Sequence, residues 1–197
     1  MDAVIPNAVD PNCYKNYSDE GFILYAGRLV PHKKVDELIR VYSDISKDFN
    51  ENLIIIGSGP CERELKAEVA SLGLEKRVRF IPFLPRTKYR EYLSKCSFFV
   101  LPSEAEAFGV VIIEAMASGK PVIARNIIGP RDIITHGYNG FLFENIHELK
   151  KYLRLLLSDE GLRKKMGKNA RRTVEEKYTF SKVAKQYLEL YESLLNK

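Results

Sequence analysis

No apolar run in the 197 residues is long enough to span a bilayer as a helix. That excludes an integral membrane protein of the helical kind. Cysteine is scarce: Cys13, Cys61 and Cys96 are odd in number and far apart. They lack the close pairs that a zinc site or a redox motif requires. A disulfide scaffold is excluded, and a reducing, cytoplasmic setting is the natural reading. The opening stretch MDAVIPNAVDP has neither the basic segment nor the apolar core of a signal peptide. It reads as a strand entered part-way through, as expected of a piece cut from a longer protein. Repeats, linkers and low-complexity stretches are absent, and the apolar content of 45% suits one soluble globular domain with a full core.

Charge of one sign is in only slight excess, 31 Lys and Arg against 26 Asp and Glu. The cations are thickest between Lys150 and Arg172. Within that stretch Lys164, Lys165, Lys168, Arg171 and Arg172 read first as the solvated face of a helix. Stacking aromatics are sparse there, which argues against nucleic acid. A peripheral contact with the inner face of a membrane is the alternative use of such a run.

Short β-branched and aromatic runs recur at Phe22 to Tyr25, Leu53 to Ile56, Val78 to Phe83, Phe98 to Leu101, Pro121 to Ala124 and Phe141 to Phe143. Apart from Arg79 in the third, they are apolar throughout and do not alternate, as in strands covered on both faces. Between them lie amphipathic patterns. In one, Val35, Leu38, Ile39 and Tyr42 form the apolar stripe, and Asp36, Glu37 and Arg40 face water. The expected fold is α/β, a Rossmann-like three-layer sandwich with a mainly parallel sheet. After Glu144 the pattern is helical, ending in an amphipathic helix marked by Val183, Tyr187, Leu190, Tyr191 and Leu194. The chain is expected to divide into an interdomain linker or first-strand remnant over 1–10, a Rossmann-like domain over 11–178 and a final amphipathic helix over 179–197.

Sheets of this kind bind ligands beyond the carboxyl ends of their strands. The first strand ends in Gly27 and Arg28, and Lys33 and Lys34 stand where the next helix begins. Cations at a helix N-terminus are electrostatically misplaced unless an anion sits among them, and a diphosphate would resolve the conflict. The plainer alternative is solvated surface charge. The second strand runs into Gly57, Ser58, Gly59 and Pro60, read either as a backbone open to a ligand or as a structural turn. Glu62 stands where the dinucleotide fingerprint has its third glycine, which argues against a nicotinamide or flavin site.

The fourth strand leads into Glu104-Ala105-Glu106-Ala107-Phe108-Gly109 and then the apolar helix Val110 to Ala117, which contains Glu114. An unpaired carboxylate on so apolar a helix is costly, so Glu114 needs a hydroxyl or cation partner. Eight residues span at most about 12 Å if helical. Two carboxylates at that distance suit opposite ends of a folded nucleotide sugar, with the amides of Phe108, Gly109 and Val110 cradling phosphate between them. The alternative places Glu106 in solvent and pairs Glu114 with an Arg.

These motifs, taken in order, resemble the GT-B glycosyltransferases of family 4, over essentially the whole chain but only their C-terminal half. Val4-Ile5-Pro6-Asn7-Ala8-Val9-Asp10 is similar to the family's V-I-P-N-G-V-D, and Gly27-Arg28-Leu29 with Lys33 to its G-R-L and Lys. Ala8 and Lys34 each stand in place of a Gly. Glu106, Phe108, Gly109 and Glu114 match E-x-F-G-x4-E, continued by Glu114-Ala115-Met116-Ala117-Ser118-Gly119-Lys120-Pro121-Val122. Ile128-Gly129-Pro130-Arg131-Asp132 resembles the G-G-P-x-E variant of some mannosyltransferase-like members, with Asp132 for Glu.

The resemblance implies a retaining transfer of a hexosyl group to a glycan or lipid-linked acceptor. No metal or cofactor is required, the donor is a nucleotide-diphosphate sugar of UDP or GDP type, and a mannosyl donor is the guess the variant loop invites. Arg28, Lys33 and Glu106 take the catalytic role, the two cations on the diphosphate and Glu106 on sugar hydroxyls. Gly27, Gly57, Leu84, Phe108, Gly109, Val110 and Glu114 bind donor, with Glu114 on the ribose, Val110 N–H on phosphate and Leu84 beside the base. The family's acceptor domain is absent from these residues, so the chain alone is expected to bind donor without transferring sugar. The last helix is expected to cross onto that missing domain, or to leave an apolar side that favours weak homodimers. The rival reading is a natural, non-catalytic donor-binding subunit of a two-chain transferase.

Overall fold

The computed structural model of the chain describes residues 4–15 and 19–195. Among these residues six strands form one sheet: β1 (Phe22–Ala26), β2 (Asn52–Ile56), β3 (Val78–Ile81), β4 (Phe98–Leu101), β5 (Val122–Arg125) and β6 (Gly140–Phe143). Their order is β3-β2-β1-β4-β5-β6, and every pairing is parallel. β1 and β4 are buried from end to end, as their unbroken apolar sequence requires. The order reverses between β1 and β4, which opens a crevice beyond their carboxyl ends.

Among the described residues eight helices accompany the sheet: α1 (Val35–Ile45), α2 (Glu62–Ser71), α3 (Arg86–Lys95), α4 (Val110–Ala117), α5 (Pro130–Ile133), α6 (Ile146–Ser158), α7 (Glu160–Lys177) and α8 (Phe180–Leu195). α1 packs with α2 and α6, and α4 packs with α3, α5 and α7, giving the two outer layers of the α/β sandwich. Val35, Leu38, Ile39 and Tyr42 are all buried in α1. Arg40 faces water, but Glu37 pairs with Arg125 at the end of β5. Ion pairs Lys150–Asp44 and Arg154–Asp48 lie along the α6–α1 seam.

Several boundaries differ from the sequence reading. β3 stops at Ile81, because Pro82 offers no N–H and Phe83 turns outward with 85% exposure. β5 begins at Val122, one residue past Pro121. Residues 4–8 hold no strand, and Val9 makes one isolated parallel bridge to Thr179. Met1, Asp2 and Ala3, included in the expected strand remnant, lie outside the described residues, as do Asn196 and Lys197 of the last helix. In α8 only Val183 is buried. Phe180, Tyr187, Leu188, Tyr191 and Leu194 are exposed, so its apolar side lies bare. Among the described residues no helix is long and apolar enough to cross a membrane.

Candidate functional site

A cavity of about 400 Å³ lies beyond the carboxyl ends of β1, β2 and β3. Ala26, Gly27 and Arg28 line it from β1, Ile56, Gly57 and Ser58 from β2, and Phe83, Leu84, Arg86 and Tyr89 from the β3–α3 passage. Val111 and Glu114 of α4 close the remaining wall. The structure thus brings Gly27, Arg28, Gly57, Leu84 and Glu114 to one pocket, five of the residues singled out from sequence.

Glu114 is 7% exposed and meets the requirement of a buried carboxylate from within the chain. The Tyr14 hydroxyl donates to its Oε1 at 2.8 Å, and Arg86 Nη2 lies 3.6 Å from the same oxygen. Burial and the Glu114 charge together push the Tyr14 hydroxyl above its ordinary pKa, so it remains a donor. The Tyr89 hydroxyl is buried and has no hydrogen-bond partner among the described residues, and burial followed by the charge of Glu114 raises its pKa well above normal. The Arg90 guanidinium stacks 4.9 Å from the centre of the Tyr14 ring. Tyr14, Arg86 and Tyr89 escaped the sequence reading. Only Arg86, a cation at a helix start after Leu84-Pro85, carried a usable local signal.

Lys33, Glu106, Phe108, Gly109 and Val110 are placed outside the lining of this cavity. Lys33 Nζ bonds Glu106 Oε1, and the Ser103 hydroxyl donates to the same oxygen at 3.1 Å. Lys34 pairs with Glu104 at 3.2 Å, and Glu104 N–H donates to His32 C=O at 2.9 Å. The expected electrostatic conflict at the α1 start is therefore relieved by the chain's own carboxylates. Pro31–Lys33 forms a 3-10 turn, and α1 opens at Val35 with Asp36 and Glu37 in its first turn. Lys34 holds φ 51°, a left-handed conformation, where the resembling family has glycine. Burial and, second, the nearby Glu106 charge raise the pKa of Tyr25, whose hydroxyl donates to Arg28 C=O at 3.0 Å.

The stretch from Glu104 to Gly109 is irregular, so the helical spacing assumed between Glu106 and Glu114 holds only from Val110 onward. Gly109 takes φ 95° to enter α4. Among the described residues no protein acceptor meets the amides of Gly109, Val110 or Val111, which leaves a helix N-terminus pointing outward. Phe108 turns inward, its ring meeting Tyr178 edge-on at 5.9 Å. Behind this loop Arg125 Nε donates to Pro102 C=O at 3.1 Å. Gly129, at φ 91°, packs so closely that a Cβ there would sit 2.8 Å from Glu106 C=O. Asp132 accepts from Gly129 N–H at 3.3 Å and holds that turn.

The glycines after β2 serve packing. A Cβ on Gly57 would fall 1.9 Å from Gly27 C=O, and one on Gly59 2.3 Å from Leu29 C=O. Leu29 N–H donates to Ser58 C=O at 2.9 Å and Cys61 N–H to Leu29 C=O at 3.0 Å. Of the two readings of this turn, the structural one accounts for both glycines, and Gly57 also faces the cavity.

A parallel sheet with this strand order and a pocket beyond its carboxyl ends, with acidic and basic side chains near a helix N-terminus, define a Rossmann-like α/β architecture. The family described as Glycosyl transferases group 1 matches residues 10–173, and the chain belongs to it. An uncharacterized glycosyltransferase of Methanocaldococcus jannaschii is 36% identical over 196 residues, covering 97% of this chain and 53% of that protein. The chain spans about half the length of the curated relatives it matches. Its structural neighbours are GT-B glycosyltransferases. A mutant of S. aureus TarM, solved with fondaparinux, alpha-GlcNAc-glycerol and UDP, gives a TM-score of 0.88 at 28% identity, over 96% of this chain and 39% of that one. The C-terminal domain of a glycosyl transferase group 1 family protein, LpcC from Francisella tularensis, gives 0.79 at 25% identity, over 87% of this chain and 99% of that one.

Proposed function

We propose that this chain is the C-terminal, donor-binding domain of a family 4 glycosyltransferase and that the switch-point cavity holds the nucleoside of a nucleotide-diphosphate sugar. The observation that carries the reading is Glu114, a carboxylate buried in the cavity wall whose Oε1 is already engaged by Tyr14. Its other oxygen is left to accept from a ribose hydroxyl, and Leu84 lies beside the base. The diphosphate then runs from Arg28 toward the outward amides at the start of α4 and reaches Lys33. There the Lys33–Glu106 pair exchanges partners: the ammonium turns to phosphate, and the carboxylate to hydroxyls of the sugar. TarM, a neighbour solved with UDP, supports a nucleotide of that class.

The reaction is a retaining transfer in which the diphosphate leaves as an acceptor hydroxyl attacks the same face. Negative charge grows on the departing phosphate, and Arg28 and Lys33 stabilise it without a metal. The acceptor-side domain lies outside this chain, and the bare side of α8 packs against it. A mannosyl donor remains the reading for the Gly129–Asp132 turn.

Calorimetric titration of the chain with UDP, GDP and ADP sugars tests the assignment. One nucleotide is expected to bind, and Glu114→Ala to weaken it by roughly ten- to a hundredfold through loss of a charge-assisted hydrogen bond. Absence of binding by all three, or unchanged affinity in Glu114→Ala, overturns it.

A further inference from the structure

The opposite edge of the sheet carries a second, larger cavity of about 1240 Å³ that the donor reading does not use. It is lined by Asp19 and Ser97, which precede β1 and β4, by Gly119, Lys120 and Pro121 before β5, and by one face of α7. Among the described residues seven Lys and Arg side chains line it against three carboxylates, Asp19, Glu160 and Glu175. This is the basic run that the sequence reading set aside as a solvated helix face.

Two of the cations sit deep in the cavity. Lys120 is only 5% exposed, and among the described residues no hydrogen bond or ion pair engages its ammonium. Burial lowers its pKa, and the nearby Arg163 charge lowers it further, against opposing effects of Cys96 and Asp19. The Cys96 thiol is no counter-ion, because burial pushes it up to about 12. Arg163 bonds Leu156 C=O and pairs with Asp19 at 3.3 Å, yet its buried Nε–H has no acceptor among the described residues. Asp19 is already shared, accepting from the Ser97 hydroxyl at 2.6 Å and Gly21 N–H at 2.9 Å.

The end of α4 does not make up the shortfall. Its carbonyls accept from Ser118, Gly119 and Lys120 N–H, and Arg171 Nη1 donates to Ala117 C=O. Lys164 and Arg172 are satisfied along α7 by Glu160 and Glu176. Lys165 and Lys168 have no ion pair among the described residues and add to the excess at the cavity mouth. A cation on a side chain as buried as Lys120 and a buried guanidinium N–H, neither with an acceptor among the described residues, are costly to hold unless an anion reaches them.

We propose that this cavity is an anion site for a phosphate group, free or carried on a lipid, with Lys120 and Arg163 as its inner donors and Lys168 at its mouth. A phosphoryl group supplies several acceptor oxygens and up to two charges, which matches donors converging from several directions. It is held at the amino edge of the sheet, away from the switch-point cavity, and its existence does not depend on the donor assignment.

The test is calorimetric titration of the full chain with pyrophosphate in an Arg28→Ala background, which weakens any diphosphate binding at the carboxyl edge. Cosedimentation with vesicles of phosphatidylcholine and phosphatidylglycerol in equal parts runs beside it. Lys120→Met, similar in shape and uncharged, is expected to weaken pyrophosphate binding about tenfold, and Lys168→Glu on the exposed face about threefold. The second variant keeps the test decisive if the first fails to fold. Pyrophosphate binding that falls in these variants supports a free phosphorylated ligand, and vesicle binding alone that falls in them supports a lipid headgroup. Binding of neither probe, or binding that both variants leave unchanged, overturns the proposal.

Discussion

The two edges of one sheet treat their cations in opposite ways. At the carboxyl edge Lys33 meets Glu106, Lys34 meets Glu104, and Arg125 meets Glu37. At the amino edge no hydrogen bond or ion pair among the described residues engages the Lys120 ammonium, and Arg163 shares a crowded Asp19. Matched pairs hold a loop in shape and can be exchanged when a ligand arrives. An unmatched buried cation instead stores a cost that a ligand would relieve. The same residue types therefore speak for different states of occupancy, depending on which edge they line.

The largest expected effect tests the carboxyl edge. In the intact enzyme, Arg28→Ala is expected to lower turnover by about two to three powers of ten, read from initial rates, if its guanidinium stabilises the leaving phosphate. Unchanged turnover would leave this edge a structural assembly only. Next comes Gly57→Ala, whose Cβ would fall on Gly27 C=O. A loss of about 3 kcal/mol in denaturant unfolding is expected, because backbone must give way and φ stands at 149°.

A smaller effect of opposite sign is expected at the amino edge. Lys120→Met should raise stability by about 1 kcal/mol near neutral pH, since it removes an unpaired buried charge. The folded-state pKa of Lys120 lies below its ordinary 10.5, so protonation is penalised in the fold. That penalty falls as pH rises through the folded value toward the unfolded one. The stability gap between Lys120→Met and the parent is therefore expected to close in alkaline buffer, and a gap that widens would contradict the burial argument. The smallest change is Lys34→Gly, expected to add about 0.5 kcal/mol in thermal unfolding. It relaxes a left-handed backbone at φ 51° but gives up an exposed pair with Glu104.

The sheet was legible because its strands are continuous apolar runs, a pattern that needs no knowledge of neighbours. All six runs became strands, with boundaries moving where proline intervened at Pro82 and Pro121. The site was legible in part. Gly27, Arg28, Leu84 and Glu114 stand at or just past strand ends or on the apolar helix, where the fold class alone directs attention. Tyr14 gave no such sign, since it reaches a carboxylate 100 residues away. The partners of Lys33 and Lys34 were hidden for the same reason: Glu106 and Glu104 come from the loop after β4, and local sequence shows only the cations. Gly57 and Gly59 looked like openings for a ligand because the carbonyls they accommodate belong to another strand's loop.

That meeting of glycines and carbonyls has a mechanical consequence. The turn after β1 and the turn after β2 are joined backbone to backbone through Gly27, Leu29, Ser58 and Cys61. They form a single stiff floor, in which neither turn shifts without opening hydrogen bonds of the other. Any adjustment of the cavity to the size of its occupant falls to the side walls, Phe83 to Arg86 on one flank and the irregular Glu104 to Phe108 stretch on the other. Swapping those walls is the route to a new ligand preference, and the floor is the part to leave untouched.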